Sequence, residues 1–464
     1  MMTQLSQVAT WTGGTLGQAA NGALAFARVS TDTRDVLPSD LFIALKGERF
    51  DAHDFLAELT ENQVTAVIAE RVPAGFALPH IIVADTRLAL LALAKHWRAQ
   101  FDVPLAVITG SNGKTTVKEM LAAIMCAAHP DAYLATQGNL NNDIGLPLTL
   151  LKLQQKHKAA VIELGMNHAG ETAQLAPVAA PTVAVINNAQ REHQEFMQTV
   201  QAVAEEHADA LSALPANGVA VFPADDAHAD IWRARASERG LTVNDFSLDE
   251  SSSAAFTARY ELGLYASTVQ LITPLGQCTT QINIPGEHNV HNALAACAAA
   301  TAMNISIVKI AQGLSAFIPA KGRLQTHALA NGVTLIDDSY NANPDSVRAA
   351  IDVLAGSAGY KVLVLGDMGE VGDQGVAFHE EIGAYAKTRG VDVLLATGDL
   401  MRHSVSAFGA PAKHFSDVLA IVPELKNELA RTGTVTVLVK GSRFMGMERV
   451  IAPLLDDAKQ HPEM

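Results

Sequence analysis

The chain has 464 residues, of which 49% are hydrophobic and 17% are charged. At roughly 150 residues per domain, this length predicts about three domains. The apolar fraction is large enough to form buried cores, which excludes bulk disorder. Acidic residues outnumber basic ones by 48 to 33, a formal charge of −15, so nucleic acid and anionic membranes are disfavoured as partners.

The cysteine content and the first residues bear on the compartment. Three scattered cysteines predict no disulfide framework and no zinc site, and plain thiols suit a reducing compartment. The N-terminus has no basic region that leads into an apolar run, so we expect no signal peptide. No apolar stretch reaches the roughly 20 residues that span a bilayer. These features predict a cytoplasmic protein without membrane insertion. No coiled-coil pattern or large apolar face stands out, which favours a monomer.

The first 85 residues show short strand patterns between turn signals. Strands are expected at residues 29–34, 41–45, 64–69 and 81–84. The amphipathic stretch 88–101 predicts a helix, and we assign residues 86–102 to a connecting segment. Residues 1–85 are therefore expected to form a small mixed α/β domain.

From residue 103 onward the pattern is that of a larger α/β domain. Residues 105–108 are a continuous apolar run, as expected of a parallel strand buried on both faces. Strand candidates at 159–163, 183–187 and 219–222 are separated by helical stretches, which favours stacked βαβ units. An antiparallel pattern at 256–284 and an Ala-rich helix at 292–303 complete a central domain, predicted to span residues 103–318.

A second break falls at residues 319–323, and another α/β pattern follows it. Strand candidates at 334–337, 361–366, 391–397 and 434–440 have helices between them. This arrangement predicts a doubly wound, Rossmann-like domain over residues 319–464. The fold class is thus α/β with three domains, the central one having a mostly parallel sheet.

A glycine-containing turn joins the first central strand to a helix, with the sequence Thr109-Gly110-Ser111-Asn112-Gly113-Lys114-Thr115-Thr116. Glycines let the backbone approach phosphates, and the helix N-terminus faces the anion. Lys114 would neutralise the outer phosphate oxygens of ATP, and the Thr115 hydroxyl would hold Mg²⁺. The first glycine of the common phosphate-loop pattern is displaced, because position 108 is isoleucine. The strand–turn–helix setting and the paired threonines favour a nucleotide loop over an ordinary tight turn.

Two further groups of polar residues are candidates on their own chemistry. Glu163 ends a buried strand, where a carboxylate opposite the phosphate loop can hold Mg²⁺; the alternative is a strand-end residue that faces solvent. A cluster of hydroxyl and amide side chains suits neutral hydrogen bonds to a sugar or peptide, the alternative being an Asn-rich turn. This cluster consists of Thr136, Asn139, Asn141 and Asn142.

The shortened loop resembles that of the Mur ligase family of peptidoglycan synthesis. Three more motifs match in order along nearly the whole chain, and they are most similar to the family member that adds D-Ala-D-Ala. These motifs are Asp32-Thr33-Arg34 with the segment 45–55, the segment 337–344, and Gly366-Asp367-Met368-Gly369-Glu370. The resemblance implies a UDP-sugar domain, a central ATPase domain and a C-terminal Rossmann-like domain.

The resemblance also implies a reaction. The γ-phosphate of ATP passes to the terminal carboxylate of UDP-N-acetylmuramoyl-tripeptide, and the amine of D-Ala-D-Ala then attacks the acyl phosphate. Residues to which the resemblance assigns catalysis are Lys114, Glu163, His193 and Arg323. Thr115, Glu163 and His193 are the implied metal ligands, although a surface-loop histidine is an alternative for His193.

The chemistry of the loop and of the polar cluster, together with the resemblance, predicts the remaining contacts. Nucleotide contacts are expected from Gly110, Ser111, Asn112, Gly113, Lys114, Thr115, Thr116, Asn289, Asn292, Arg323, Asp338 and Asn341. Helix capping is the alternative for Asn289 and Asn292. Substrate contacts are expected from Thr33, Arg34, Lys46 and His53 on the UDP-sugar, and from Thr136, Asn139, Asn141, Asn142 and Asn343.

One position departs from the family pattern. Many members carry a carboxylated lysine that supports a second metal, and His207 stands at that place, with no lysine nearby. We hypothesise that His207 or a neighbouring Glu partly substitutes, or that the second metal binds more weakly. A solvated helix face is the alternative.

Competing functions remain at this point. Within the family these are a sibling that adds a single amino acid and a related folate polyglutamate ligase, and both fit the segments 45–55 and 337–344 less well. A different class is a phosphate-loop switch that binds nucleotide without ligation. The third residue of the peptide, diaminopimelate or lysine, leaves no signature in the sequence.

Overall fold

The computed structural model describes residues 2–59 and 63–460, so residues 1, 60–62 and 461–464 of the predicted domains lie outside the described part. The strands form four sheets that follow one another along the chain. Within the described residues, no helix is both long and apolar enough to cross a membrane.

The N-terminal sheet is small and mostly parallel. Its elements are α1 (Leu5–Thr12), β1 (Thr15–Leu16), β2 (Arg28–Ser30), β3 (Asp40–Ile43), β4 (Ala66–Ala69) and β5 (His80–Ile82), with 3-10 turns at Ala19–Ala23, Thr33–Asp35 and Ala52–Glu58. The strand order is β1-β5-β4-β3-β2, and β1 alone among these strands runs antiparallel. The strand predicted at 29–34 ends early, at Ser30. The Asp32 carboxylate accepts from Arg34 N at 2.9 Å and so turns the chain into a 3-10 helix.

The central sheet has six parallel strands. Its strands are β6 (Leu105–Thr109), β7 (Tyr133–Ala135), β8 (Ala159–Glu163), β9 (Val183–Ile186), β10 (Val219–Pro223) and β11 (Thr242–Phe246). The order is β11-β10-β9-β6-β8-β7. Strand β6 lies in the middle, and its neighbours β8 and β9 both come later in the chain. The loop after β6 therefore lies at a topological switch point, where open α/β sheets bind ligands.

Helices cover both faces of this sheet. They are α3 (Lys114–Ala128), α4 (Gly145–Leu150), α5 (Glu171–Ala179), α6 (Gln194–Met197), α7 (Val200–Ser212), α8 (Ala229–Glu238), α9 (Glu287–Ala302) and α10 (Ile307–Ala316). The predicted antiparallel segment forms a three-stranded sheet in the order β12 (Thr257–Glu261), β13 (Ser267–Thr273) and β14 (Gly276–Ile282). Side chains of β6 alternate between two cores, with Ala106 and Ile108 in one and Leu105 and Val107 in the other.

The connecting helix is α2 (Thr86–Arg98), which starts two residues before the predicted start because Asp85 caps it by accepting from Leu88 N at 2.9 Å. It packs against α1 on one side and against α4 and α5 on the other. Leu90 and Leu93 thereby join the core of the first sheet to that of the central sheet.

The C-terminal sheet is doubly wound. Its strands are β15 (Gln325–Ala328), β16 (Val333–Asp338), β17 (Tyr360–Gly366), β18 (Val393–Thr397), β19 (Ala412–Phe415) and β20 (Val435–Lys440), and its helices are α11 (Pro344–Ala355), α12 (Gly375–Thr388), α13 (Met401–Phe408), α14 (Ile421–Leu429) and α15 (Glu448–Gln460). The order is β15-β16-β20-β17-β18-β19, with β15 antiparallel to β16 at one edge. The carboxyl ends of β16 and β20 lie side by side.

Candidate active site

The segments that follow strands of the central and C-terminal sheets line one cleft of about 770 Å³. The phosphate loop follows β6, Glu163 ends β8, and the turn with Glu192 and His193 follows β9. From the other sheet come Asn341, which follows β16, and Lys440, which ends β20. The predicted catalytic residues are therefore brought together from two sheets.

The phosphate loop is held in shape by the turn after β9. Gly110 and Gly113 have φ angles of 130° and 82°, a region that side chains disfavour. A Cβ at Gly113 would also collide with the amides of Asn187 and Asn292. Asn112 N donates to Asn188 Oδ1 at 2.9 Å. The loop is thus fixed with its backbone exposed toward the cleft, as phosphate binding requires.

Lys114 belongs to a chain of charged and polar contacts below the loop. Its Nζ donates to the carbonyls of Gly110 and Ser111 and to Glu192 Oε2, the last at 3.1 Å. Burial raises the pKa of Glu192, but the charge of Lys114 and the hydrogen bond from His207 outweigh it and bring that pKa to about 2. Glu192 is therefore an anion whenever Lys114 is charged beside it.

Glu163 is 2% exposed and has one satisfied oxygen and one unsatisfied oxygen. Its Oε1 accepts from Asn141 Nδ2 at 2.7 Å and from Thr115 Oγ1 at 3.3 Å. Its Oε2 is buried without a hydrogen-bond partner among the described residues. A buried carboxylate oxygen left without a donor beside a threonine hydroxyl suits a hard cation such as Mg²⁺.

His193 lies on the same cleft in a left-handed backbone conformation, with φ 47°. Its Nδ1 is 2.5 Å from Glu370 Oε2, an approach that is not aligned as a hydrogen bond, and its Nε2 is 3.8 Å from Glu192 Oε2. Contact with His193 lowers the pKa of Glu370. In the part of the chain that the structure describes, no three His, Cys, Asp or Glu side chains form a ready metal site. An ion at Thr115 and Glu163, or a second ion at His193, would thus need phosphate or water oxygens as well.

A second cavity of about 330 Å³ lies across the loop and shares Asn112 and Gly113 with the first. Asn289 and Asn292 line it and form a buried amide chain. Asn292 Nδ2 donates to Asn289 Oδ1 at 2.9 Å, and Asn187 Nδ2 donates to Asn292 Oδ1 at 2.7 Å. Neither amide caps α9, whose first turn has no side-chain cap. The chain instead links this cavity to the phosphate loop.

Residues from the C-terminal segment reach the loop directly. Arg323 Nη2 is 3.4 Å from Thr115 Oγ1, and its guanidinium stacks on Tyr340 at 4.2 Å from the ring centre. Asn343 and Asn112 exchange side-chain hydrogen bonds of 2.9 and 3.3 Å.

Two other residues of this segment that were predicted to contact the nucleotide, Asp338 and Asn341, already bond to Lys440. Asp338 is paired with Lys440 at 2.6 Å, so its carboxylate is partly neutralised. Asn341 lines the larger cleft, and its carbonyl accepts from Lys440 Nζ at 2.8 Å.

Of the four residues in the predicted hydroxyl and amide cluster, three line the larger cleft and one does not. Asn139, Asn141 and Asn142 line the larger cleft, and Asn142 Oδ1 also accepts from Gly145 N at 2.9 Å. Thr136 is 2% exposed, and its hydroxyl accepts from Glu163 N at 3.0 Å, so it holds the strand end.

None of the four residues predicted for the UDP-sugar lines this cleft, although one of them lies at its edge. Thr33 and Arg34 lie on a 3-10 turn, where Arg34 pairs with Asp32 at 2.7 Å. His53 is buried, with Nδ1 2.6 Å from Asp51 and Nε2 accepting from Glu70 N. The carbonyl of Lys46 accepts from Arg87, a residue that lines the cleft, so the Lys46 turn stands at its edge.

The position that departs from the family pattern is fully buried. His207 Nε2 is 3.0 Å from Glu192 Oε1, and its Nδ1 is 2.9 Å from Thr109 Oγ1. The neighbouring Glu206 accepts from Gly170 N and Thr172 N, each at 2.7 Å. Both side chains therefore have protein partners, and a solvated helix face, the alternative for this position, is wrong.

Several contacts that the sequence analysis did not predict join the two sheets across the cleft. Arg191 bonds to Asp345 at 2.6 Å and to Glu381 at 2.7 Å. Burial would lower the pKa of Arg191, but the two carboxylates raise it above its ordinary value. Glu195 N donates to the carbonyl of Glu370 at 3.2 Å. Arg191 and Glu195 follow strand β9, whereas Asp345, Glu370 and Glu381 belong to the C-terminal segment, and no local pattern in the sequence pairs them.

Comparison with known proteins places these features in a family. The Mur ligase middle domain matches residues 108–300, and the Mur ligase glutamate ligase domain matches residues 322–443. The UDP-N-acetylmuramoyl-tripeptide–D-alanyl-D-alanine ligase of Escherichia coli (strain K12) is 39% identical over 441 residues, which cover 95% of this chain and 96% of that protein. The protein of the same name from Bacillus subtilis (strain 168) is 35% identical and covers 92% and 93%.

Comparison with solved structures leads to the same family. A crystal structure of MurF from Acinetobacter baumannii has a TM-score of 0.91 at 35% identity and covers 98% of both chains. MurF ligase from Thermotoga maritima in complex with ADP shares the fold, with a TM-score of 0.82 at 24% identity over 94% of this chain and 98% of that one. The predicted three-domain α/β fold and the resemblance are confirmed. The chain belongs to the Mur ligase family, among its UDP-N-acetylmuramoyl-tripeptide–D-alanyl-D-alanine ligases.

Proposed function

We propose that this chain is an ATP-dependent amide ligase that joins D-Ala-D-Ala to UDP-N-acetylmuramoyl-tripeptide during peptidoglycan precursor synthesis. The observation that carries the proposal is the meeting of the phosphate loop, Glu163 and Arg323 in one cleft between two sheets. Relatives that bear this enzyme's name match nearly the whole chain. The names of these relatives specify D-Ala-D-Ala as the acceptor, which favours it over a single amino acid or glutamate.

The chemistry explains why such a cleft is needed. A carboxylate is a poor acyl donor because its leaving group would be oxide, and transfer of the γ-phosphate gives it a stable leaving group. Phosphate and carboxylate are both anions, so cations must offset their repulsion where they meet. Lys114 and Arg323 supply two positive charges at the loop. Closure of the C-terminal domain over the cleft keeps water from the acyl phosphate.

Mg²⁺ fits the remaining acceptors. Thr115 Oγ1 and the unpartnered Oε2 of Glu163 would hold one ion, and His193 would contribute to a second. A bound ion supplies charge neutralisation between the phosphate and the carboxylate. Asn141 and Thr136 keep the Glu163 carboxylate at the end of its strand, through its Oε1 and its backbone N respectively.

The two cavities suggest how the nucleotide and the peptide are divided. The smaller cavity, with Asn289 and Asn292, takes the base and ribose, and the phosphates cross the loop at Asn112 and Gly113. The larger cleft takes the peptide carboxylate and the incoming amine.

The UDP-sugar is assigned to residues 1–85, with Thr33, Arg34 and Lys46 as polar contacts. His53 shapes the turn through Asp51 and Glu70 and contacts substrate only if those bonds break. We also propose residues 86–102, 103–318 and 319–464 as the connector and the two further domains, and a cytoplasmic monomer as the working form.

The experiment that tests the function is acceptor dependence. Purified protein is given ATP, Mg²⁺ and UDP-N-acetylmuramoyl-tripeptide, with D-Ala-D-Ala, a single amino acid or glutamate as the acceptor. We expect ADP release to require D-Ala-D-Ala and the amide product to be found by mass spectrometry. Release with another acceptor would point to a sibling ligase, and slow hydrolysis without any acceptor would point to a nucleotide switch.

A further inference from the structure

Beneath the phosphate loop, four side chains form a continuous hydrogen-bonded chain: Thr109, His207, Glu192 and Lys114. The first three are buried, and the Lys114 side chain at the cleft end is 16% exposed. His207 is fully buried, and the Glu192 side chain is 5% exposed. Thr109 ends β6, and His207 lies on α7, so both anchors belong to core elements of the central domain. Such a chain holds the Glu192 carboxylate in one orientation.

The hydrogen-bond directions in this chain are consistent with one another. In the tautomer with the proton on Nε2, His207 donates to Glu192 Oε1 at 3.0 Å, and its Nδ1 accepts from the Thr109 hydroxyl at 2.9 Å. The other carboxylate oxygen is then directed at Lys114 Nζ, 3.1 Å away.

The ammonium group of Lys114 has three N–H donors, and three acceptors meet it. Two are carbonyls of the loop itself, at Gly110 and Ser111, and the third is Glu192. A phosphate oxygen can bind this ammonium only by replacing one of the three. Replacing a loop carbonyl would distort the loop, whereas replacing Glu192 exchanges one anionic oxygen for another.

We propose that Glu192, held by His207, is a positioning residue for Lys114, and that its carboxylate occupies the ammonium contact that the terminal phosphate of the nucleotide takes over. In the nucleotide-free protein, the Glu192 carboxylate holds the Lys114 side chain against the loop and pairs its charge. This inference rests on the proposed function only in taking ATP as the nucleotide.

Nucleotide binding without an acceptor tests the exchange. Calorimetry on the full-length protein, without Mg²⁺, compares ADP with the non-hydrolysable triphosphate AMP-PNP. In Glu192→Gln the phosphate no longer displaces an anion, so we expect AMP-PNP to bind roughly three- to tenfold more tightly and ADP to change much less. Turnover should fall at least about tenfold, because Lys114 is no longer held in place.

The matched control is Glu205→Gln. Glu205 lies on the same helix as His207, its carboxylate is at the exposed surface, and it accepts from Gln201. Its variant removes the same charge and should leave both affinities and turnover at wild-type values. Equal tightening in both variants would show a bulk charge effect and overturn the proposal, as would unchanged or weaker AMP-PNP binding in Glu192→Gln.

A pair of His207 variants tests the same idea independently of Glu192. A glutamine amide reaches the former Nε2 position and keeps the bond to Glu192, whereas an asparagine amide reaches the former Nδ1 position and keeps only the bond to Thr109. We expect His207→Gln to retain turnover within about threefold and His207→Asn to lose it as Glu192→Gln does. Equal losses in both variants, with a matching fall in melting temperature, would show a packing role and overturn the proposal. The binding measurements need no acceptor, so they stay informative even if the ligase assay fails.

Discussion

Glu163 carries a buried charge that the protein satisfies on one side only. Asn141 and Thr115 donate to Oε1, while Oε2 has no donor among the described residues. A buried carboxylate in this state lowers stability until a cation joins it. A group that destabilises the free protein and serves the bound one is typical of functional sites.

The variant Glu163→Gln tests whether the charge of this carboxylate serves to bind a cation. Glutamine keeps the size of the side chain and an acceptor for Asn141 but loses the negative charge. We expect acceptor-dependent ADP release to fall by about 10²- to 10³-fold, because the cation that offsets the phosphate charge loses its ligand. The melting temperature without ligands should stay the same or rise. Glu171→Gln is the control, since Glu171 lines the same cleft but already accepts from Asn167 N at 2.8 Å. Wild-type activity in Glu163→Gln would rule out this role.

The site residues that could be predicted from the sequence are those whose position in the chain indicates phosphate or metal binding. Lys114 and Thr115 follow a strand and begin a helix, and Glu163 ends a strand, so the fold class alone brings them together. Glu192 carried no such signal, because its partners Lys114 and His207 are 78 and 15 residues away. Thr136 shows the opposite case, because a polar residue beside a strand end also serves to satisfy a buried backbone N–H.

Helix α11 starts where the C-terminal segment contacts the phosphate loop. The side chain of Asn343 caps it, with Oδ1 accepting from Ser346 N at 2.8 Å, and the Ser346 hydroxyl accepts from Asn343 N at 3.0 Å. The same amide bonds to Asn112 in the phosphate loop. One residue thus fixes the start of a C-terminal helix and joins it to the nucleotide loop.

These two roles can be separated. Asn343→Ala loses both the cap and the contact with Asn112, so we expect stability to fall by about 1 kcal/mol. Its KM for ATP should rise by roughly threefold or more. Ser346→Ala breaks the other half of the capping box and leaves the Asn112 contact in place, so its stability should fall while its KM for ATP stays the same. Chemical denaturation and steady-state kinetics provide the two readouts. An equal rise in KM in both variants would mean that helix order, not the Asn112 contact, sets nucleotide affinity.

The elements that could be read from the sequence are those with a full apolar run. Strand β8 has its predicted bounds of 159 and 163, β6, β9 and β20 differ from theirs by one residue at one end, and β16 is longer than predicted by one residue at each end. Edge strands such as β11 and β19 were not predicted, because their side chains are only partly buried and the run that marks an inner strand is missing. Helix α9 starts five residues before its predicted start, since the polar residues at its beginning line the smaller cavity and interrupt the apolar pattern.

Contacts between the central and C-terminal segments decide how far the cleft is closed. Arg191 joins these two segments through ion pairs with Asp345 and Glu381. Its backbone N also donates to the Asp345 carboxylate at 2.9 Å, and its guanidinium lies 5.1 Å from the centre of the Phe378 ring. The side chain is 23% exposed, so salt screens these pairs less than surface pairs. Nothing local in the sequence marks the pairs, because Asp345 and Glu381 lie 154 and 190 residues away.

Arg191→Met tests whether these pairs hold the closed arrangement. We expect the free variant to have a larger radius of gyration than the wild type in small-angle X-ray scattering, because the C-terminal domain is no longer tied to the turn after β9. Its KM for ATP should rise by roughly three- to tenfold, since Arg323 reaches the loop less often. Arg348→Met is the matched control, because Arg348 pairs with Glu381 at 2.9 Å within the C-terminal segment and does not cross the cleft. Identical scattering from Arg191→Met and the wild type would show that other contacts, such as that between Glu195 and Glu370, are sufficient for closure.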